Sequence, residues 1–124
     1  MTELVQNLDS FIPDNLIVDG SVPILTKAVE LSAGQGVLKR GTVLGKITTS
    51  GQYKIVNSTN ADGSQDADCI LADNADTTTS VVAVAYTSGH FNRKALVFGG
   101  SDTADTHEAR LRELGIFLSD NVSY

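Results

Sequence analysis

The residues of this chain that could carry chemistry are one cysteine, two histidines and several aspartates in polar loops. Cys69 begins the apolar run 69–72, and a thiol in such a run is typically buried and inert rather than nucleophilic. His90 lies in a predicted turn, and His107 lies in the first turn of a predicted helix. No histidines or cysteines have the His-x-x-x-His or Cys-x-x-Cys spacing that binds zinc. The sequence therefore predicts neither a zinc site nor a cysteine nucleophile.

The polar loop over residues 57–68 contains an Asp-Gly step and scattered carboxylates, which invites comparison with a calcium-binding loop. With Gly63 at position 6 of an EF-hand loop, Ser58 would take position 1 and Cys69 would take position 12. Neither residue supplies the carboxylate that those positions require. We expect an ordinary solvated loop and no metal.

Asp73 and Asp76 are close enough in sequence to suggest a pair of catalytic carboxylates. They stand beside an asparagine in a short connection, where aspartate usually serves the turn itself. The chain also has no Gly-x-Ser-x-Gly elbow and no Gly-x-x-x-x-Gly-Lys-Ser/Thr phosphate loop. We predict that the protein is not an enzyme and has no catalytic residues, cofactor or metal, so that its role is binding or structural.

Length, composition and charge limit the kinds of protein and partner that this chain can represent. A chain of 124 residues with 41% hydrophobic content is expected to form one domain with an aliphatic core. Its formal charge of −6 is the wrong sign for a protein that neutralises phosphates, so we predict no nucleic-acid partner. The N-terminus lacks the features of a signal peptide, and no apolar run is long enough to cross a membrane. We expect synthesis in a reducing cytoplasm and no membrane partner.

A predicted strand–turn–strand unit over residues 38–56 is the centre of the fold. Gly41 and Gly45 bracket a short apolar run, as in a strand that passes close to another backbone. Ser50-Gly51 then reverses the chain. Further strands are predicted over residues 69–72 and 78–86, followed by a turn at Ser88-Gly89 and a strand over residues 90–98.

Residues 1–23 differ from the rest, since Pro13 and Pro23 bracket an extended segment with an apolar centre. From composition alone this segment is equally a first strand of the body or an extended arm. Residues 24–31 alternate as a strand does, and the candidates for its inward face are Leu25, Val29 and Leu31. We divide the chain into an N-terminal arm (1–23) and a body (24–124).

One helix is predicted near the C-terminus, over residues 106–114. Asp105 is a favourable N-cap residue, and Glu108 stands three positions later, as in a capping box. Gly115 suits the left-handed residue that ends a helix.

Short glycine and turn segments follow one another in a distinctive order. They are residues 14–17, 34–36, 38–45, 51–53, 62–64, 70–72, 89–92 and 95–96. In order and spacing they resemble the phage head decoration proteins of the lambda protein D type, especially the longer versions found in prophages. The resemblance extends over residues 14–98, which is most of the chain.

The resemblance implies a mainly β fold: a small β-clip-like barrel or sandwich with one short C-terminal α-helix and an extended N-terminal arm. It also implies a homotrimer that binds the major capsid protein on the outside of the expanded phage head, at threefold positions, and stabilises the virion. The arm is expected to lie against the shell. Its candidate capsid-binding residues are Leu16, Ile17, Val18, Val22, Pro23 and Ile24.

Two other functions remain open for a small β body of this kind. One is a trimeric β-clip enzyme that hydrolyses nucleotides, which would need a carboxylate for metal-bound phosphate and a phosphate-binding loop. The other is an accessory domain of a phage tail or adhesin.

Overall fold

The computed structural model describes residues 16–18 and 22–119, and these residues are mainly β. The first half contains β1 (Leu25–Leu31), β2 (Val37–Leu38), β3 (Val43–Lys46) and β4 (Tyr53–Ile55). The second half contains β5 (Ala67–Leu71), β6 (Ala75–Asp76), β7 (Val81–Asn92), a 3₁₀ turn (Arg93–Ala95), α1 (Ala104–Leu114) and β8 (Ile116–Ser119).

Five strands close into a barrel in the order β1-β4-β3-β5-β7, and β7 pairs with β1 to complete the circle. The seam is an antiparallel ladder that ends with Leu31 opposite Val81. The predicted strand–turn–strand unit forms β3 and β4, with Leu44 opposite Ile55. β2 and β6 make a separate two-stranded ribbon. The predicted small barrel with one short helix is thereby confirmed.

Gly41, before β3, and Gly45, within β3, both lie close to other backbone, as the sequence predicts. A Cβ on Gly41 would be 2.8 Å from the carbonyl oxygen of Ala95, and one on Gly45 would be 2.5 Å from that of Ser64. Both neighbours are main-chain atoms, so a methyl group could enter only if a strand or loop moved.

Two hydrophobic cores result from the alternation of side chains along the barrel strands. The inner core fills the barrel and contains Val29, Leu31, Leu38, Leu44, Tyr53, Cys69, Leu71 and Ala85. The outer core packs α1 and β8 against the other face of β3 and β5, and contains Leu16, Val43, Val56, Ala67, Ile70, Phe91, Leu111 and Ile116. β3 and β5 therefore have buried residues in both cores.

The turn predicted at Ser88-Gly89 is wrong, because β7 continues through it to Asn92. The second half of β7 is held as a strand by its own partners: β8 pairs with it in parallel from Gly89 to Asn92, and Ile17 pairs with Phe91. Gly89 has a φ of 146°, a backbone conformation that favours glycine. Long-range pairing thus overrides a local turn signal.

The helix begins two residues earlier than predicted, at Ala104, with Thr103 rather than Asp105 at the N-cap. The Thr103 N–H donates to the Oγ1 of Thr106, which occupies the position of the capping-box acid. Glu108 is instead in an ion pair with Arg93. Gly115 ends the helix in the left-handed conformation, with φ of 94°, as predicted.

Leu25 does not face inward, although the alternation of β1 predicts that it does. Val29 and Leu31 are buried, whereas Leu25 is 60% exposed. The first four residues of β1 are all exposed, so this strand contributes to the inner core only from Val29 onward. The register between β1 and β7 also shifts between Leu25 and Thr26.

Candidate functional site

The first part of the candidate arm is docked on the body. The Val18 N–H donates to the His90 carbonyl (2.9 Å), and the Asn92 N–H donates to the Leu16 carbonyl (2.7 Å). Leu16 is 1% exposed and belongs to the outer core. Residues 16–18 therefore pair with the second half of β7, the same part of β7 that pairs with β8.

The second part of the candidate arm lies at the start of β1 and is more accessible. Val22 is half-buried, Pro23 is exposed and Ile24 is 40% exposed. The Ser88 hydroxyl donates to the Pro23 carbonyl (2.6 Å) and accepts from the Leu25 N–H (3.2 Å). Residues 1–15 and 19–21, the rest of the predicted arm, lie outside the described residues. The six predicted side chains thus fall into a docked group and an accessible group.

Cys69 is fully buried in the inner core. Burial raises the pKa of its thiol to about 12, so the reactive thiolate is scarce at neutral pH. His90 lies within β7 rather than in a turn, and its carbonyl holds Val18.

His107 belongs to a polar cluster that joins α1 to the loop after β4. Its Nε2 lies 2.7 Å from Asp102 Oδ2, and the imidazole stacks on Phe98 with ring centroids 5.6 Å apart. Asp102 also accepts hydrogen bonds from the N–H and the hydroxyl of Ser58, both at 2.6 Å.

The geometry of this cluster does not fit nucleophilic catalysis. Asp102 stands between the serine and the histidine, whereas catalysis needs the histidine to accept the serine proton directly. Burial favours the neutral carboxyl, but the hydrogen bonds from Ser58 and His107 outweigh it and lower the pKa of Asp102. The cluster fastens a helix to a loop.

The acidic loops hold their carboxylates apart. Asp62 accepts from Lys54 and Ser64, and these hydrogen bonds lower its pKa. Asp76 accepts from the N–H and hydroxyl of Thr78, which closes a turn and lowers the pKa of Asp76. Within residues 16–18 and 22–119, no three His, Cys, Asp or Glu side chains come together as a possible metal site.

An open polar cleft of about 410 Å³ lies beside the loop before β5. It is lined by Lys46, Thr48, Gly63, Gln65, Asp66, Asp68 and Arg110. Its charges are mixed in sign, and Arg110 donates to the carbonyl of Ala67 across its edge.

An apolar surface that sequence inspection missed lies across β1 and β7. Val82 is 68% exposed, Val84 is 51% exposed, and Ala28 is exposed opposite Val84. The signal for it is the unbroken apolar run 81–85, which is typical of a strand buried on both faces. The residues that the structure describes bury only one face of this run.

The fold defines a small β-barrel, and its described residues include two accessible apolar surfaces suited to contacts with other proteins: residues 22–24 and the face of β1 and β7. The family model "Bacteriophage lambda head decoration protein D" matches residues 6–117 of the chain. The chain belongs to this family of phage head decoration proteins. A search of curated proteins found no match.

Family membership makes the protein a structural component of the phage capsid, as its resemblance implies. The match includes most of the predicted arm as well as the barrel and the helix. No helix in the described part of the chain has the length and hydrophobicity needed to span a membrane.

Proposed function

We propose that the protein assembles as a homotrimer at threefold positions on the outside of the expanded phage head and stabilises that form. It is made in the bacterial host cytoplasm and binds the major capsid protein through the arm residues. The observation that supports the proposal is the family match over residues 6–117, a range that includes most of the predicted arm as well as the barrel.

The docked group and the accessible group have different parts in this contact. Leu16 fills the body's own outer core, so it fixes where the arm leaves the barrel. Val22, Pro23 and Ile24 follow and present apolar surface to the shell, with Ile17 and Val18 beside them. Ile24, a large aliphatic side chain that is 40% exposed, would gain from burial in the contact.

One arm is expected to bind weakly. Burying three aliphatic side chains contributes roughly 5–9 kcal/mol, and each residue that becomes ordered on docking costs about 1–2 kcal/mol. Three arms on one trimer bind together, because the second and third arms dock at a high effective concentration. A trimer is therefore a much better clamp than a monomer.

Such a clamp would stabilise only the shell that presents its site. If expansion of the head creates the site, differential affinity locks the expanded state. Binding should then be strong to expanded heads and weak to unexpanded ones.

Co-sedimentation with expanded heads tests the arm contact. A deletion of residues 1–15 removes most of the arm yet keeps Leu16, and a Val22→Ser/Ile24→Ser double variant alters the accessible group. The matched control is Val37→Ser, because Val37 is 63% exposed and lies in the separate β2–β6 ribbon. We expect the double variant to lose at least tenfold in affinity and the control to bind as the wild type does.

Two results would contradict parts of this proposal. If the deletion and the double variant both decorate heads normally, the arm does not make the contact. If the wild-type protein fails to bind expanded heads at all, decoration itself is wrong.

A further inference from the structure

We propose that the outer face of the β1–β7 seam is the surface through which copies of this chain join. We define this seam face by Thr26, Ala28 and Glu30 of β1 and by Val82 and Val84 of β7. The inference rests on the homotrimer proposed above and names the surface that forms it.

The seam face continues a face of β7 that is packed against the outer core at Tyr86 and becomes exposed at Val84 and Val82. Further along the same face of β7, Tyr86 packs against the outer core, with its ring centroid 5.4 Å from that of Phe91. The cover ends there, and Val84 and Val82 follow with 51% and 68% of their surface exposed. Their neighbours on the opposite face of β7, such as Ala85, line the barrel. The first half of β7 thus has apolar side chains on both faces, and within residues 16–18 and 22–119 only one of these faces is buried.

The pairing of the strands selects the kind of partner. β1 pairs with β4 and β7, and the first half of β7 pairs with β1 and β5. An extended peptide gains affinity by adding hydrogen bonds to an open strand edge, and the closed barrel offers none here. The partner must bring a preformed face, which a second folded copy provides.

Charge favours a second copy as that partner. Each copy carries a formal charge of −6, so two copies approach most easily through surface without carboxylates. Four of the five seam-face residues are uncharged, and the one carboxylate, Glu30, stands opposite Val82 at the end of the ladder. This face is therefore a low-repulsion route for self-association.

The exposed apolar area of the seam face is small, as expected for the centre of a weak interface. A fully exposed aliphatic side chain offers on the order of 100 Å², so the exposed parts of Val82 and Val84, with Ala28, supply roughly 150 Å². A standard interface buries about 800 Å² on each partner, so the patch can form only the centre of an interface with a polar rim. The two halves differ, since β7 contributes valines and β1 contributes alanine and threonine. In the proposed homotrimer, the valines of one copy pack on the β1 half of the next, and this head-to-tail contact closes into a ring when successive copies are related by a threefold rotation.

The test is the oligomeric state of a Val82→Glu/Val84→Glu variant, by sedimentation velocity over a range of concentrations and by chemical cross-linking on expanded heads. The control is Val37→Glu in the β2–β6 ribbon. Val37 is 63% exposed and stands opposite Asp76, just as Val82 stands opposite Glu30, so the control also places a glutamate opposite an acid. Thermal unfolding of each variant checks that the barrel is intact. We expect the double variant to be monomeric where the wild type and the control are trimeric, with at least a tenfold rise in the dissociation constant.

The remaining outcomes separate this inference from the proposed function. A double variant that trimerises as the wild type does overturns the seam face and leaves the homotrimer standing. A double variant that stays trimeric but no longer binds heads would make the seam face a capsid contact, which also overturns the inference. A wild-type protein that is monomeric both in solution and on heads overturns the homotrimer together with its interface.

Discussion

Replacing Leu16 with alanine tests whether residues 16–18 are a strand of the folded body. Leu16 is 1% exposed and packs with Phe91, Leu111 and Ile116 in the outer core. A Leu→Ala change at a buried site costs about 2–5 kcal/mol, through lost burial and the cavity that remains. The same change in a side chain that makes no contacts with the body would hardly alter the free energy of unfolding.

The expected change in melting temperature follows from the size of the chain. At about 2.1 cal/mol/K per residue, unfolding 124 residues has an entropy near 0.26 kcal/mol/K. A loss of about 3 kcal/mol therefore lowers Tm by roughly 12 °C. The control is Ile24→Ala, which removes a side chain that is 40% exposed and should lower Tm by less than about 4 °C.

The assay is differential scanning calorimetry of the three proteins at one concentration, because self-association makes Tm depend on concentration. A Leu16→Ala variant that melts within about 2 °C of the wild type would refute the packing of Leu16 in the core. It would also make the Leu16 side chain available as a capsid contact.

Three further predictions concern the body. Gly45→Ala should destabilise the protein, since its Cβ would lie 2.5 Å from the carbonyl oxygen of Ser64; a Tm equal to that of the wild type would contradict this close approach. The lowered pKa of Asp102 means that its contribution to stability is present above the usual carboxyl pKa of about 4 and is lost as pH falls through the lower folded value. The Tm difference between wild type and Asp102→Asn should therefore shrink toward acid pH, and a difference that does not depend on pH would count against the hydrogen bonds from Ser58. Cys69, with its pKa raised to about 12 by burial, should react with a thiol reagent only after denaturant is added; rapid labelling of the native protein would show that the barrel opens.

The sequence alone determined the features that depend on local chemistry. Gly51 and Gly115 mark the hairpin and the end of the helix, because few other residues adopt their backbone conformations at low cost. The apolar alternation of β1 correctly placed Val29 and Leu31 in the core. The ordered glycine and turn segments also identified the head decoration family, which the family model confirms.

Only the tertiary structure decided the features that depend on distant partners. β7 passes through Ser88-Gly89 because β8 and residues 16–18 hold its second half, and neither is near it in sequence. Leu16 is in the outer core and Leu25 is on the surface, because Leu16 packs on residues far from it in sequence and β1 enters the inner core only at Val29.

The seam face has the same origin. A run of apolar residues indicates that both faces of a strand are suited to burial. Whether a face is buried depends on which other parts of the fold pack against it. Only the closed barrel shows which face of β7 is exposed among the described residues, because the strands that pair with β7 come from distant parts of the chain.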